Sequence, residues 1–157
     1  MSDFEDKLIR KHLDKVDKLV TAWMAAYGIR ILQFSLGVVF LWFGYLKFFP
    51  GLSPETELIQ KTLPFIDIDL LMPALALIES CIGFALIFNR FKRLTLALLF
   101  AQMGGTVLPL ILLPDIVWNH FPYAPTLEGQ YIVKNLVLIG SGLAIGATVR
   151  GGRMTTH

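Results

Sequence analysis

An all-α integral membrane four-helix bundle, preceded by an amphipathic interfacial helix at the amino terminus, is the fold that three observations predict. The 157 residues are 55% hydrophobic and only 17% charged, and the mean hydropathy is +0.63. Four stretches near the 20 or so apolar residues that a helix needs to cross a bilayer are separated by breaks rich in Pro, Gly and charge. The basic residues are also unevenly shared between the breaks. So much apolar surface excludes a disordered chain, a disulfide-stapled scaffold and a nucleic-acid binder, and a formal charge of +2 suggests no polyanionic partner. The lone Cys81 rules out an internal disulfide and paired-thiol chemistry.

Residues 1–28 come first. Phe4, Leu8, Leu13, Val16, Val20 and Trp23 recur at helical spacing with Asp and Lys on the other face. Charge runs throughout this segment, unlike a signal peptide, so it is expected to lie along the inner leaflet. The four spans follow at about 29–49, 70–88, 94–113 and 127–149. The third holds no charge, the second holds Glu79, and the fourth opens at Pro125-Thr126 with Glu128 in its first turn, which places Lys134 inside it. Outside the spans, Ser53-Pro54-Glu55 predicts a short surface helix from Pro54 to Lys61. The aromatic residues of the connection 114–125 suit the headgroup level.

Orientation follows from the basic residues. Eleven of the fourteen Lys and Arg residues fall in the amino-terminal segment, the link 89–93 and the carboxyl tail, while Lys47, Lys61 and Lys134 fall on the other side. Both termini are therefore expected in the cytoplasm.

Ionisable groups in hydrocarbon cost about 2.5 to 3.5 kcal/mol on insertion scales, so Glu79, Lys134 and Lys47 each need a partner or a task. Counted from Pro73 and Thr126, Glu79 and Lys134 lie about 9 and about 12 Å deep at 1.5 Å per residue, which makes them candidates to pair, with Lys47 a competitor or a snorkelling cation. Tyr45, Gln102 and Asn135 extend the polar set in the outer half of the bundle. Three readings stay open: interhelical glue, ion or substrate passage, and a site for the polar head of a lipophilic ligand. A quinone suits the last, because its carbonyls need donors such as Lys, Gln or Asn and its reduction takes up protons that Glu79 is able to relay. His120, alone in its loop, predicts no metal site, and no soluble-enzyme motif is present. Cys81 reads as a small packing residue. Gly142 and Gly146 form a small-residue face open to a helix of the same chain or of a second copy, and Gly104, Gly105 and Pro109 permit a kink.

Several of these residues also carry a resemblance. Gly44-Tyr45-Leu46-Lys47-Phe48 at the end of the first span, Glu79-Ser80-Cys81-Ile82-Gly83 in the second, and Gly129 through Lys134 opening the fourth resemble the DoxX-like superfamily of four-span bacterial inner-membrane proteins, within it most nearly the YkgB type. The resemblance implies an accessory role in membrane redox or oxidative-stress physiology, a membrane redox partner or self-association, a quinone as candidate cofactor, and Lys47, Glu79 and Lys134 as site residues. It implies no cysteine pair or haem ligand. The chain differs from the YkgB pattern in its short first external connection and in Asn135, where those relatives tend to have Asp. Whether the protein is itself an enzyme stays open, and the competing roles are a membrane scaffold or chaperone-like partner and a small transporter or channel.

Overall fold

The computed structural model describes residues 3–53 and 55–152, with side chains from Ile9 onward. Four helices are long and apolar enough to cross a membrane: Ile9–Leu46, Ile68–Ile87, Lys92–Leu112 and Leu127–Ala147. All-α architecture is shown in that sense, with one small hairpin added. The order is α1 (Asp3–Leu46), α2 (Thr56–Thr62), α3 (Ile68–Ile87), α4 (Lys92–Val107), α5 (Pro109–Leu112), α6 (Pro114–Val117), β1 (Trp118–His120), β2 (Ala124–Pro125) and α7 (Leu127–Ala147).

The chain forms two compact units, Met1–Leu32 and Gln33–His157. In the first, Leu13, Val16, Val20 and Trp23 are all exposed along the helix, and the Trp23 and Tyr27 rings stand 5.8 Å apart. Helix continues without a stop into the first span, so the sequence boundary at 28 marks a change of composition and not a break. Phe4 and Leu8 of the expected apolar stripe, Pro54 of the expected surface helix and Arg153 of the tail lie outside the described residues or side chains.

The second unit has its core where residues 33–46 of α1, α3, α4 and α7 meet. Ala76, Ile82, Leu99 and Ile145 are sealed there. Glycine allows α1 and α3 to touch: a Cβ at Gly83 would sit 2.5 Å from the backbone nitrogen of Leu41, and one at Gly44 would sit 2.8 Å from that of Ser80. Dispersion grows with the number of close atom pairs, so such an approach stabilises helices that gain little from the hydrophobic effect in lipid. The far side of the contact is fixed by Gln33, whose Nε2 donates to the carbonyl of Leu86 at 2.6 Å and to Asn89 Oδ1 at 3.1 Å.

Asn89 itself ends α3. With φ of 57° it takes the left-handed conformation that Asn tolerates, and its N–H and that of Arg90 return to the carbonyls of Leu86 and Ala85, which satisfies the last turn. Only the four residues 88–91 separate α3 from α4. Gly142 on α7 faces Leu99 and Phe100 of α4, so the small-residue face is used inside the unit. Cys81, expected to pack, is exposed.

The third span is interrupted. Pro109 has no N–H to give to the carbonyl of Gly105, which instead accepts from Leu108 at 3.2 Å, and α4 gives way to α5 at that point. The fourth starts as its sequence predicts: Thr126 Oγ1 accepts from the N–H of Gly129 at 3.2 Å while donating to the carbonyl of Ile116 at 2.8 Å. Gly129 lies so close to Val117 that any Cβ would meet the Val117 carbonyl oxygen. Outward-facing Phe84, Leu94, Ile111, Leu136, Val137 and Leu143 leave an apolar surface of the kind that suits lipid.

Candidate functional site

Glu79 stands twelve positions into α3, near its middle, because the helix begins at Ile68 and runs through Pro73 instead of starting there. Its side chain is 7% exposed. A carboxylate so placed needs partners, and each of its oxygens has one. Lys47 Nζ lies 2.7 Å from Oε2, and Gln102 Nε2 of α4 donates to Oε1 at 2.7 Å.

Lys47 is the pivot of this network. α1 ends at Leu46 and a turn held by the Gly44 carbonyl swings the next residue inward. Its side chain is only 2% exposed, and its ammonium also meets Glu55 at 2.9 Å. Glu55, 35% exposed, is the residue at the start of α2. One cation thus joins a buried carboxylate to one at the surface of the fold, and α2 is tied to α3 through it.

The expected pair of Glu79 with Lys134 is not formed. Lys134 is exposed on α7, and its ammonium lies 5.0 Å from the centre of the Tyr131 ring one turn earlier. Equal depth does not fix the direction in which a helical residue points, and Lys134 projects from an exposed face of α7. Tyr45 is likewise turned out, 58% exposed and packed edge-on against Phe49 at 5.0 Å. Of the six residues singled out in the sequence, Lys47, Glu79 and Gln102 form one network. Asn135 sits apart from it and donates through Nδ2 to Thr106 Oγ1 at 3.3 Å. Lys134 and Tyr45 belong to neither.

Between these two polar groups is a cavity of about 380 Å³, within the usual range for small-molecule sites. α2, α3, α4, α5 and the first turns of α7 line it. Its walls are mainly Leu and Ile, including Leu58, Ile59, Leu71, Leu75, Ile78 and Ile132, with Gln102, Thr106, Asn135, Tyr131, Thr62, Glu55 and Glu128 as the polar points. A second cavity of about 190 Å³ reaches Lys47, Thr56 and Asp69 from the loop side. The charged network therefore stands between the two spaces.

Glu55 and Thr106 were not singled out in the sequence, although each had a signal. Glu55 belongs to the excess of acids opposite the basic side, eight residues after Lys47. Thr106 is a hydroxyl one turn after Gln102, in a span without charge. The donors that the sequence offered to ring carbonyls are each engaged within the protein, Lys47 by two carboxylates, Gln102 by Glu79 and Asn135 by Thr106, with one hydrogen left on each amide nitrogen. Among the described residues, no group of His, Cys, Asp and Glu is arranged to hold a metal. Comparison of the chain with family models, with curated proteins and with solved structures finds no match.

Proposed function

We propose that the protein is a DoxX-like multi-pass protein of the bacterial inner membrane that holds a lipophilic ligand with a polar ring, of the quinone class, and acts as an accessory in membrane redox or oxidative-stress physiology. The observation that carries the reading is the cavity whose polar wall, Gln102, is hydrogen-bonded to the buried Lys47–Glu79 pair. An apolar chamber with a few fixed polar points is what an amphiphile needs: burial of its hydrocarbon and an anchored position for its head. Of the residues in the motifs behind the resemblance, Gly44 and Gly129 stand at close backbone approaches and Lys47 is the hub of the network. Cytoplasmic termini remain favoured by the eleven-to-three division of basic residues.

Filling the chamber tests this. Space is open around Gly105, which lines the cavity and where an added Cβ would meet nothing within 4 Å. Gly105→Leu should therefore occupy the ligand's volume while leaving Glu79 and its partners in place, and Leu in place of Gly favours the helix by about 0.8 kcal/mol. Extracts of the gently solubilised native protein should contain a lipophilic compound that the variant lacks at equal or higher thermal stability. Identical extracts from both would refute the reading. They would favour the scaffold, which the complete pairing of Glu79 also suits.

A further inference from the structure

The two amides on the cavity wall have their orientations set by their neighbours, and this defines the head group they can receive. Glu79, paired with the Lys47 ammonium, only accepts hydrogen bonds. Gln102 must therefore turn its nitrogen to Glu79 Oε1, as the 2.7 Å contact has it, and its carbonyl oxygen elsewhere. Thr106 spends its one proton on the carbonyl of Met103 at 2.9 Å and so only accepts from Asn135. That turns the Asn135 nitrogen to Thr106 and leaves its carbonyl oxygen over. Among the described residues no hydrogen bond uses Gln102 Oε1 or Asn135 Oδ1. Each amide nitrogen keeps a second hydrogen and Tyr131 lines the same cavity, so acceptors and donors stand side by side there, and a hydroxyl meets both where a carbonyl meets only the donors. Glu55 and Glu128 add carboxylates to the same lining.

We infer that the cavity selects its ligand by hydroxyl donors, taking a phenol- or alcohol-headed amphiphile in preference to the carbonyl form of the same ring. This rests on the amphiphile reading above and adds acceptors to the donors expected to hold a quinone. An unmet acceptor in an apolar space costs most when the incoming group is itself an acceptor, because neither then regains what it gave up in water. The reduced, hydroxyl-bearing member of a quinone couple is accordingly the better ligand.

Three probes with the same tail isolate the effect: 2-decyl-1,4-benzenediol, its dimethyl ether and 2-decyl-1,4-benzoquinone, measured anaerobically against the full-length protein in lipid nanodiscs. The diol should bind about ten-fold more tightly than either of the others, the effect of one to two net hydrogen bonds. Asn135→Leu, which leaves the Lys47–Glu79–Gln102 network intact, should reduce that preference about five-fold, as loss of one such bond would. Equal or tighter binding of the quinone or the ether, or an unchanged preference in Asn135→Leu, would overturn the inference while leaving the amphiphile reading standing. Absence of binding by all three would overturn both.

Discussion

Two lysines in apolar helical surroundings end in opposite states. Lys47 is sealed, with Glu79 at 2.7 Å and Glu55 at 2.9 Å. Lys134 is exposed and rests over an aromatic ring of its own helix. The physical difference is in where the helix leaves each Cα. Lys47 follows the last residue of α1, where a turn aims the side chain into the unit and the long stem must find its counter-ions inside. Lys134 projects from the outer face of α7, where a flexible four-carbon stem lets the ammonium reach toward a polar boundary. A charge within a span is therefore not evidence of a site by itself. Its cost is met either by partners, which organise other elements around it, or by escape, which organises nothing.

The largest effect that tests this contrast is expected from Lys47→Met. It leaves the buried Glu79 and the nearby Glu55 without their shared cation, and a buried charge stripped of its partner costs about 3 to 5 kcal/mol. Thermal unfolding in detergent should show that loss, and Lys47→Met with Glu79→Leu should recover a large part of it. A stable single variant would break the comparison. Next comes Gly44→Ala, whose Cβ would press 2.8 Å from the Ser80 nitrogen and 2.9 Å from Glu79 Cβ. Overpacking of this kind costs about 1 to 3 kcal/mol, whereas Gly140→Ala, with nothing within 4 Å, should be neutral or stabilising by up to about 1 kcal/mol. Equal melting temperatures for the two variants would show that the α1–α3 approach is not tight.

Lys134→Met should change stability by no more than about 0.5 kcal/mol, and its effect should add to that of Glu79→Gln with a coupling below about 0.5 kcal/mol. Rescue of Glu79→Gln by Lys134→Met would instead restore the pairing that the depths alone suggested. The smallest effect belongs to α2. Lys61 donates to Glu57 at 2.6 Å and the pair is exposed, so the hydrogen bond and the charge hold the Glu57 carboxyl below its ordinary range. A lowered folded value means that the contribution is complete above the unfolded value and disappears as pH falls through the folded one. The difference in melting temperature between native protein and Glu57→Gln should therefore be present at neutral pH and vanish as acid protonates the carboxyl; a difference that persists undiminished in acid would contradict it.

The contrast also marks how far the sequence could be read. Span number, the Thr126 start with Glu128 in its turn, and the interruption at Pro109 were legible because hydrophobic length, capping chemistry and a missing N–H act locally. Glu79, Gln102 and Lys47 were legible as polar residues in an apolar setting. Their pairing was not, since it depends on the rotation of each helix about its axis and on the turn after Leu46, both settled by contacts such as Gly83 against Leu41. The start of α3 at Ile68 is hard to see in the sequence because Asp67 and Asp69 resemble a connection, although the Asp67 side chain accepts from the Asp69 N–H at 3.0 Å and caps the helix. Glu55 is equally inconspicuous, because its role needs the surface helix to fold back toward Lys47.

Gly104 and Gly105, followed by the substitution of a Leu108 hydrogen bond for the one that Pro109 lacks, give the cavity wall a kinetic character. Each glycine weakens a helix by about 1 kcal/mol relative to alanine, and the two lie within one turn of Gln102 on one side and of the break at Leu108 on the other. Amide exchange should be fastest in this stretch among the long helices of the second unit, because free energy of local opening follows local stability. A few residues of α4 are thus the ones expected to let go of their backbone bonds most often, and since Gly105, Leu108 and Pro109 also line the cavity, the shape of that space is coupled to the local opening of the helix.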